Sequence, residues 1–308
     1  MDYSIFKKFI YDNIELPSVD ELPYLDELDE SSELEEPKVI DVDVLRSFSH
    51  FLKANPHMFP TSEEGRENLR EDFRLKLRKI LTAILHDDEL NVFYYQGLHE
   101  MISILLLLTN GDVTMSYQII VAMCRKHINF FVTKEPALET VDPLVKIIRV
   151  AWPSLKVGED FDTELFLCTI PWVLTWFSYN YENLEILRDI FIFCLKDEMN
   201  IYYLCASMFM RGLFTQYEGS DPLDQAKMHT IFNRREFIKE GPFAEQEYFD
   251  DVMEFANDLL EQHPWATVEK RVALLDNSVY QAVVNNKTAI VIGGAVALGA
   301  VLYSVMKQ

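Results

Sequence analysis

Apolar side chains in the long middle section of the chain, between positions 38 and 285, recur at every third or fourth residue. That spacing places them along one side of an α-helix. The segment 64–86 shows the pattern clearly, with an apolar stripe at Leu69, Phe73, Leu77, Ile80 and Ile84. No stretch alternates apolar and polar residues for long, as a half-buried β-strand would. The pattern predicts an all-α, multi-helix body of about 225 residues, which is large enough to bury a hydrophobic core.

One segment is predicted to lie at the centre of this body. Residues 102–108, ISILLLL, form a nearly unbroken apolar run, and the stop signal Asn110-Gly111-Asp112 follows it. An apolar run of this kind within a helical pattern predicts a buried central helix. A later helical run, 162–179, contains Pro171, which lacks a backbone N–H and is predicted to break or kink the helix.

The C-terminal end carries a different pattern. Residues 289–306, AIVIGGAVALGAVLYSVM, contain no charged side chain. As a helix this segment is about 27 Å long, which matches a thin bilayer such as that of the endoplasmic reticulum (ER). The sequence therefore predicts a single C-terminal transmembrane helix acting as a tail anchor, with residues 1–287 in the cytosol. The alternative is a buried core helix, and the lack of polar residues at any helical spacing argues against it.

The segment that precedes the helical body is strongly acidic. Residues 15–36 hold ten carboxylates and neither Lys nor Arg. Because such a run repels itself, residues 1–37 are predicted to form an acidic, partly disordered lead, with a partner-docking segment as the alternative. The predicted organisation is this lead, a helical domain over 38–262, a helical linker over 263–288 and the anchor.

Composition excludes several classes of function. The chain has 28 Lys and Arg against 50 Asp and Glu, a formal net charge of −22, so no nucleic-acid partner is expected. Its four cysteines form no CxxC pair and its seven histidines have no metal-ligand spacing, so no metal site is predicted. The sequence also lacks the phosphate-binding loop of nucleotide-binding enzymes and the serine motif of α/β-hydrolases. Two local patterns remain as candidates for a functional site.

The first pattern is Ile40-x-x-Asp43-x-x-Arg46, within VIDVDVLRSF. On a helix, residues three apart share a face, so the carboxylate of Asp43 can orient the guanidinium of Arg46. Taken alone, the pattern is also typical of an ordinary surface ion pair.

The second pattern is Tyr94-Tyr95-Gln96-Gly97, within NVFYYQGLHEM. A glutamine between an aromatic pair and a glycine is unusual at the entrance to a very apolar helix. Gly97 would let another part of the backbone approach closely, because it has no Cβ. The alternative is a helix-entry turn that contains a hydrogen-bonded glutamine.

Together, in this order and some fifty residues apart, the two patterns resemble IxxDxxR and YxQG, the signatures of the TBC (Tre-2/Bub2/Cdc16) family of Rab GTPase-activating proteins. The segments 168–195 and 199–214 are similar to the second half of TBC domains. The resemblance implies that Arg46 is an arginine finger and Gln96 a glutamine finger, both inserted in trans into a GTP-bound Rab. It also implies that Asp43 orients Arg46, while Tyr94 and Gly97 shape the turn that presents Gln96.

The C-terminal apolar segment makes the chain similar to the ER-anchored branch of this family. That resemblance implies a protein of the ER membrane that acts on Rabs of ER-to-Golgi traffic, with an ER membrane-shaping protein as a possible further partner. It implies no cofactor of its own, because the Rab carries GTP and Mg²⁺. The alternative is a non-catalytic Rab-binding or membrane-tethered scaffold, against which the intact Arg46 and Gln96 argue. The family often has Arg-x-aromatic-Asp where this chain has Arg188-Asp189, so that pair is assigned no role.

Overall fold

The structure is a computed structural model that covers most of the helical body. The residues it describes are 2–18, 37–126, 138–158, 160–216, 228, 231–232 and 246–274. Within these ranges the regular structure is helical and contains no β-strand, which confirms the predicted all-α class for this part of the chain.

The α-helices of the described residues are numbered in chain order. The first six are α1 (Tyr3–Asn13), α2 (Pro37–Arg46), α3 (Ser49–Ala54), α4 (Glu63–Leu85), α5 (Leu98–Leu108) and α6 (Val113–Lys126). The next five are α7 (Asp142–Ala151), α8 (Phe161–Thr175), α9 (Leu184–Lys196), α10 (Asn200–Gln216) and α11 (Gln246–Gln262). A short 3-10 helix, Leu138–Val141, precedes α7, and residues 265–274 are helical again.

Helix α5 lies at the centre of the fold, as its apolar sequence predicted. Ten of its eleven residues are buried, and it packs against α2, α4, α6, α8 and α9. Its buried Ser103 satisfies its hydroxyl locally by donating to the carbonyl of His99, 2.7 Å away. Because α5 packs against α2, which carries the first candidate pattern, and begins directly after the second pattern, its position fixes where the two patterns meet.

Helix α8 continues through Pro171, so the predicted break does not occur there. The helix ends four residues later, at Thr175, where Trp176 and Phe177 adopt left-handed backbone angles (φ 45° and 61°). The carbonyl that a proline leaves without its helical partner is that of the residue four positions earlier, here Leu167. Leu167 lies on the exposed side of α8, where solvent can take the place of the missing N–H.

The N-terminal helix belongs to the folded body, although residues 1–37 were predicted to form a lead outside the domain. Helix α1 packs against α9, and its Phe6 and Ile10 are fully buried. Farther along, the carbonyl of Pro17 accepts a hydrogen bond from the side-chain amide of Gln118, 2.7 Å away. Most of the acidic run, residues 19–36, lies outside the described residues.

At the other end, α11 packs along α10, so the helical packing extends to residue 262. The predicted anchor, 289–306, and residues 275–288 of the predicted linker lie outside the described residues. Within the described part, none of the helices combines the length and the apolar character needed to cross a bilayer.

Candidate functional site

The first candidate residue stands at the C-terminal end of α2. This helix turns Ile40 and Val44 into the core, and Asp43 lies on the same buried side with 2% of its side chain exposed. Arg46, the last residue of the helix, keeps 61% of its side chain exposed and donates from Nη2 to Asp43 Oδ1. The buried carboxylate therefore holds the inner face of a guanidinium whose outer face is open to solvent.

The second oxygen of Asp43 binds the other pattern. The hydroxyl of Tyr94 donates to Asp43 Oδ2 at 2.6 Å, and it lies 3.1 Å from Nδ1 of His99. Because the single hydroxyl proton points at Asp43, the hydrogen bond between His99 and Tyr94 requires a proton on Nδ1. At the other ring nitrogen, His99 Nε2 lies 3.5 Å from Glu100 Oε1.

The Tyr94 hydroxyl stays protonated in this position. Burial raises the pKa of Tyr94 far above its usual range, and the hydrogen bond to Asp43 and the negative charge of that carboxylate raise it further. Tyr94 is therefore a permanent donor to Asp43 at physiological pH. The network Arg46–Asp43–Tyr94–His99 joins α2 to the start of α5 through side chains alone.

The turn before α5 leaves Gln96 exposed between two tightly packed neighbours. On one side, Tyr95 is buried and its hydroxyl donates to the carbonyl of Leu174 in α8, 3.1 Å away. On the other, Gly97 has φ +130°, and a Cβ there would lie 2.9 Å from Cγ2 of Thr175. Only glycine combines that backbone angle with so close an approach, so Gly97 seats the turn against α8 and Gln96 projects outward.

Arg46 and Gln96 open onto the same space. Both line an open groove of about 830 Å³, and both also line a smaller neighbouring cavity of about 270 Å³. The smaller cavity includes Lys38, Val39, Val42 and Asp43 from α2. The structure thus brings together the guanidinium and the carboxamide that the sequence placed fifty positions apart, on one exposed face.

The far wall of the larger groove was not predicted. It comes from the C-terminal part of α8 and the residues after it, namely Ile170, Pro171, Leu174, Thr175 and Tyr179. Ser49 and His50 of α3 complete the rim beside Arg46. The segment 168–195 was recognised as similar to the second half of TBC domains, which was the signal available for this wall, but nothing in that segment indicated that it faces Gln96.

The pair that the sequence left without a role is an ion pair elsewhere on the molecule. Arg188 Nε donates to Asp189 Oδ1 at 2.8 Å, and neither residue lines the two cavities described above. The pair belongs to α9.

Comparison with known proteins identifies a family whose domain covers the candidate site. The family model of the Rab-GTPase-TBC domain matches residues 7–213, which include the second half of α1 and all the site residues named above. The curated GTPase-activating protein gyp10 of Schizosaccharomyces pombe is 25% identical over 217 residues, which cover 65% of this chain and 52% of that protein. The chain therefore spans about half the length of this relative. The match to the family begins well before the predicted domain start at residue 38.

Proposed function

The chain belongs to the Rab-GTPase-TBC domain family, and we propose that it is a GTPase-activating protein that supplies Arg46 and Gln96 to a GTP-loaded Rab. The observation that carries this proposal is the shared groove, because both side chains open onto it while Asp43, Tyr95 and Gly97 beside them are buried. A partner nucleotide presented to this groove would meet a cation and an amide together. The similarity to a protein named as a GTPase-activating protein supports the same activity.

Arg46 is the residue proposed to stabilise the transition state. Hydrolysis of GTP develops negative charge on the oxygens of the transferred phosphoryl group, and an arginine supplied in trans contributes about 10³ to 10⁵ in rate in other GTPase systems. The planar guanidinium suits this role because it can donate to two oxygens at once. Here Asp43 occupies one edge of Arg46 and leaves donors on the exposed edge for the nucleotide.

Gln96 is proposed to orient the attacking water. A carboxamide both accepts and donates hydrogen bonds, so it can hold a water molecule and the phosphoryl group in line. In this site Tyr94 ties the turn to Asp43 and Gly97 packs it against α8, so the turn has little freedom to shift. These two residues and Asp43 are therefore proposed as supporting residues.

We also propose that residues 289–306 anchor the protein in the ER membrane, with the helical body in the cytosol. The length and apolar character of the segment support this location, and the combination with a TBC domain resembles the ER-anchored branch that includes TBC domain family member 20. Membrane confinement raises the effective concentration of a lipid-anchored Rab, as a tether does. The proposed substrates are Rabs of ER-to-Golgi traffic, with an ER membrane-shaping protein as a further partner.

The test is single-turnover GTP hydrolysis by a panel of Rabs with the full chain in detergent. Arg46→Ala and Gln96→Ala are each expected to lower the rate by at least about 10²-fold while the protein stays folded. Arg46→Lys is expected to fail nearly as badly, because an ammonium cannot reproduce the planar fork. Arg149→Ala is the control, since the Arg149 side chain is about as exposed as that of Arg46, also pairs with an aspartate, Asp162, and lines neither cavity.

Two outcomes would contradict the proposal. Near-normal rates in both Arg46→Ala and Gln96→Ala would reject the assignment of these residues. If the wild-type protein binds GTP-loaded Rabs but accelerates none of the panel, the chain is a non-catalytic Rab-binding scaffold.

A further inference from the structure

Two arginines of α4 bind the backbone on either side of Arg46. The carbonyl of Leu45 accepts hydrogen bonds from Nη2 of Arg70, at 3.1 Å, and from Nη2 of Arg74. The carbonyl of Ser47 accepts from Nε of Arg70, at 3.3 Å. These carbonyls belong to the residues immediately before and after Arg46, so the two guanidiniums hold the backbone on both sides of the candidate finger.

This contact takes the place of an ordinary helix cap. The last carbonyls of a helix have no partner within the helix and are usually satisfied by a glycine turn or by water. At the end of α2, the left-handed position (φ 70°) is taken not by a glycine but by Phe48, which is fully buried with its ring tilted against that of Phe73 in α4. The positive charges of Arg70 and Arg74 lie at the negative end of the α2 dipole, which is the favourable arrangement.

The two arginines are themselves held in place. Arg74 has 10% of its side chain exposed and pairs with Glu71 and Glu67 of its own helix. Arg70 pairs with Glu67 at 3.4 Å. Arg74 is thus a nearly buried cation that donates hydrogen bonds to the Glu71 carboxylate of α4 and to the backbone of α2, and it pairs electrostatically with Glu67. Among the described residues, the bond to the carbonyl of Leu45 is its only hydrogen bond to α2.

The orientation of the Arg46 side chain depends on the last turn of α2, which these hydrogen bonds hold in place. Arg46 reaches Asp43 across one helical turn, and this spacing holds only while residues 43–46 remain helical. The last turn of a helix is the part that frays most readily. Holding the carbonyls of Leu45 and Ser47 prevents that turn from opening, and therefore keeps Arg46 on Asp43.

We propose that Arg74, together with Arg70, is a positioning residue for Arg46. This inference rests on the proposed function, because it concerns how the side chain of Arg46 is oriented for catalysis. Arg74 touches neither cavity and lies behind the helix that carries Arg46. Its expected effect is on the rate of the chemical step and not on the affinity for the Rab.

The chain offers a matched control in Arg78. Arg78 also lies on α4 and donates to a residue of α2, but its partner is the side chain of Asp41, in the first half of that helix. Arg78→Met therefore removes an arginine contact between the same two helices without touching the backbone beside Arg46. If the contacts act only by holding α2 onto α4, the two substitutions are equivalent.

The test measures kcat and KM for a responsive GTP-loaded Rab with the full chain. Arg74→Met is expected to lower kcat by about 10-fold with KM within about twofold, since small misplacements of a catalytic group are costly. Arg74→Lys, which can still donate to the carbonyl of Leu45, is expected to recover part of this loss. Arg78→Met is expected to leave both constants within about twofold of wild type.

A double-mutant cycle then separates positioning from general loosening of the fold. If Arg74 acts through Arg46, Arg74→Met has no further effect on kcat in the Arg46→Ala background, but keeps its full effect in the Gln96→Ala background. The thermal unfolding of each variant is measured beside the kinetics. If Arg74→Met does not fold, Arg70→Met is the deciding variant, because Arg70 is more exposed. It is expected to lower kcat by about 3-fold.

Three results would overturn the inference: an unchanged kcat in Arg74→Met, an equal loss in Arg78→Met, or the same factor lost in the Arg46→Ala background. Failure of the proposed function is recognised separately, because Arg46→Ala itself would then leave the rate unchanged. A large effect of Arg46→Ala with none of Arg74→Met would reject the positioning role alone.

Discussion

The hydroxyl of Tyr94 donates a hydrogen bond to Asp43 Oδ2, 2.6 Å away, across 51 positions of the chain. Asp43 uses its other oxygen for Arg46, and Tyr94 stands two residues before Gln96. One buried carboxylate therefore connects the segment that carries the arginine to the segment that carries the glutamine. Arg46 and the turn that carries Gln96 are therefore linked by one hydrogen-bond network, and a change in one segment is expected to affect the other.

Tyr94→Phe tests this connection. The change removes the donor to Asp43 but keeps the ring, so we expect a loss of about 10-fold in kcat with little change in KM, because the misplaced groups act in the transition state. The measurement is single-turnover GTP hydrolysis at several Rab concentrations. Tyr11→Phe, on the exposed side of α1, is the control. A rate equal to wild type in Tyr94→Phe would show that the hydrogen bond does not position either finger.

Gly97→Ala tests the packing of the turn against α8. The φ of +130° strains any residue with a Cβ, at a cost of about 1–3 kcal/mol, and the added methyl group would also meet Thr175 Cγ2 at 2.9 Å. We expect lower stability in chemical denaturation and a fall in kcat, since Gln96 must shift. Thr175→Ser removes Cγ2, so the double variant is expected to recover part of both losses. Suppose that Thr175→Ser alone has wild-type stability and kcat, but the double variant recovers neither loss. The contact with Thr175 Cγ2 is then not the reason that alanine is excluded at position 97.

Phe6→Ala tests whether α1 is part of the domain. Phe6 is fully buried, and truncating a buried phenylalanine costs about 3–5 kcal/mol in free energy of unfolding. Ile5 on the same helix is 48% exposed, so Ile5→Ala is expected to cost less than about 0.5 kcal/mol. Urea denaturation followed by circular dichroism measures both. Equal, small losses would place α1 outside the cooperative unit.

The cysteines provide a test of the core that does not depend on activity. Burial raises the pKa of the Cys168 thiol to about 11, with a further contribution from the Glu164 carboxylate, and burial raises the pKa of Cys124, Cys194 and Cys205 as well. At pH 8 these groups are protonated and covered, so a disulfide reagent such as Ellman's is expected to label none in the native protein and four after unfolding. Rapid labelling of Cys168 in the native protein would contradict its packing in α8.

Local periodicity was sufficient to predict the main helices. The stripe from Leu69 to Ile84 became the buried side of α4, and the run 102–108 became the buried part of α5. The contact between Asp43 and Arg46 also follows from local spacing on a helix, and the structure contains it. These predictions succeeded because residues three or four apart meet in any helix, whatever surrounds it.

The groove could be predicted only in part. Resemblance to a family placed Arg46 and Gln96 in one site, whereas the wall formed by Leu174 and Tyr179 and the backbone contacts of Arg74 depend on how helices far apart in sequence pack. Helix α1 escaped prediction for a different reason. It contributes only Phe6 and Ile10 to the core and precedes a strongly acidic run, so its short apolar side carried too little signal to mark it as part of the domain.

A long side chain that must bind a phosphate usually loses rotational freedom at that moment, at a cost of about 1–2 kcal/mol in conformational entropy. In Arg46 part of that freedom has already been given up, because the buried Asp43 carboxylate restrains the guanidinium in the isolated protein. Folding therefore already orders the Arg46 side chain, so this part of the entropy cost does not recur each time the proposed GTPase partner binds. Pre-ordering of this kind strengthens the binding of a phosphate without adding any contact, because less conformational entropy is lost on binding.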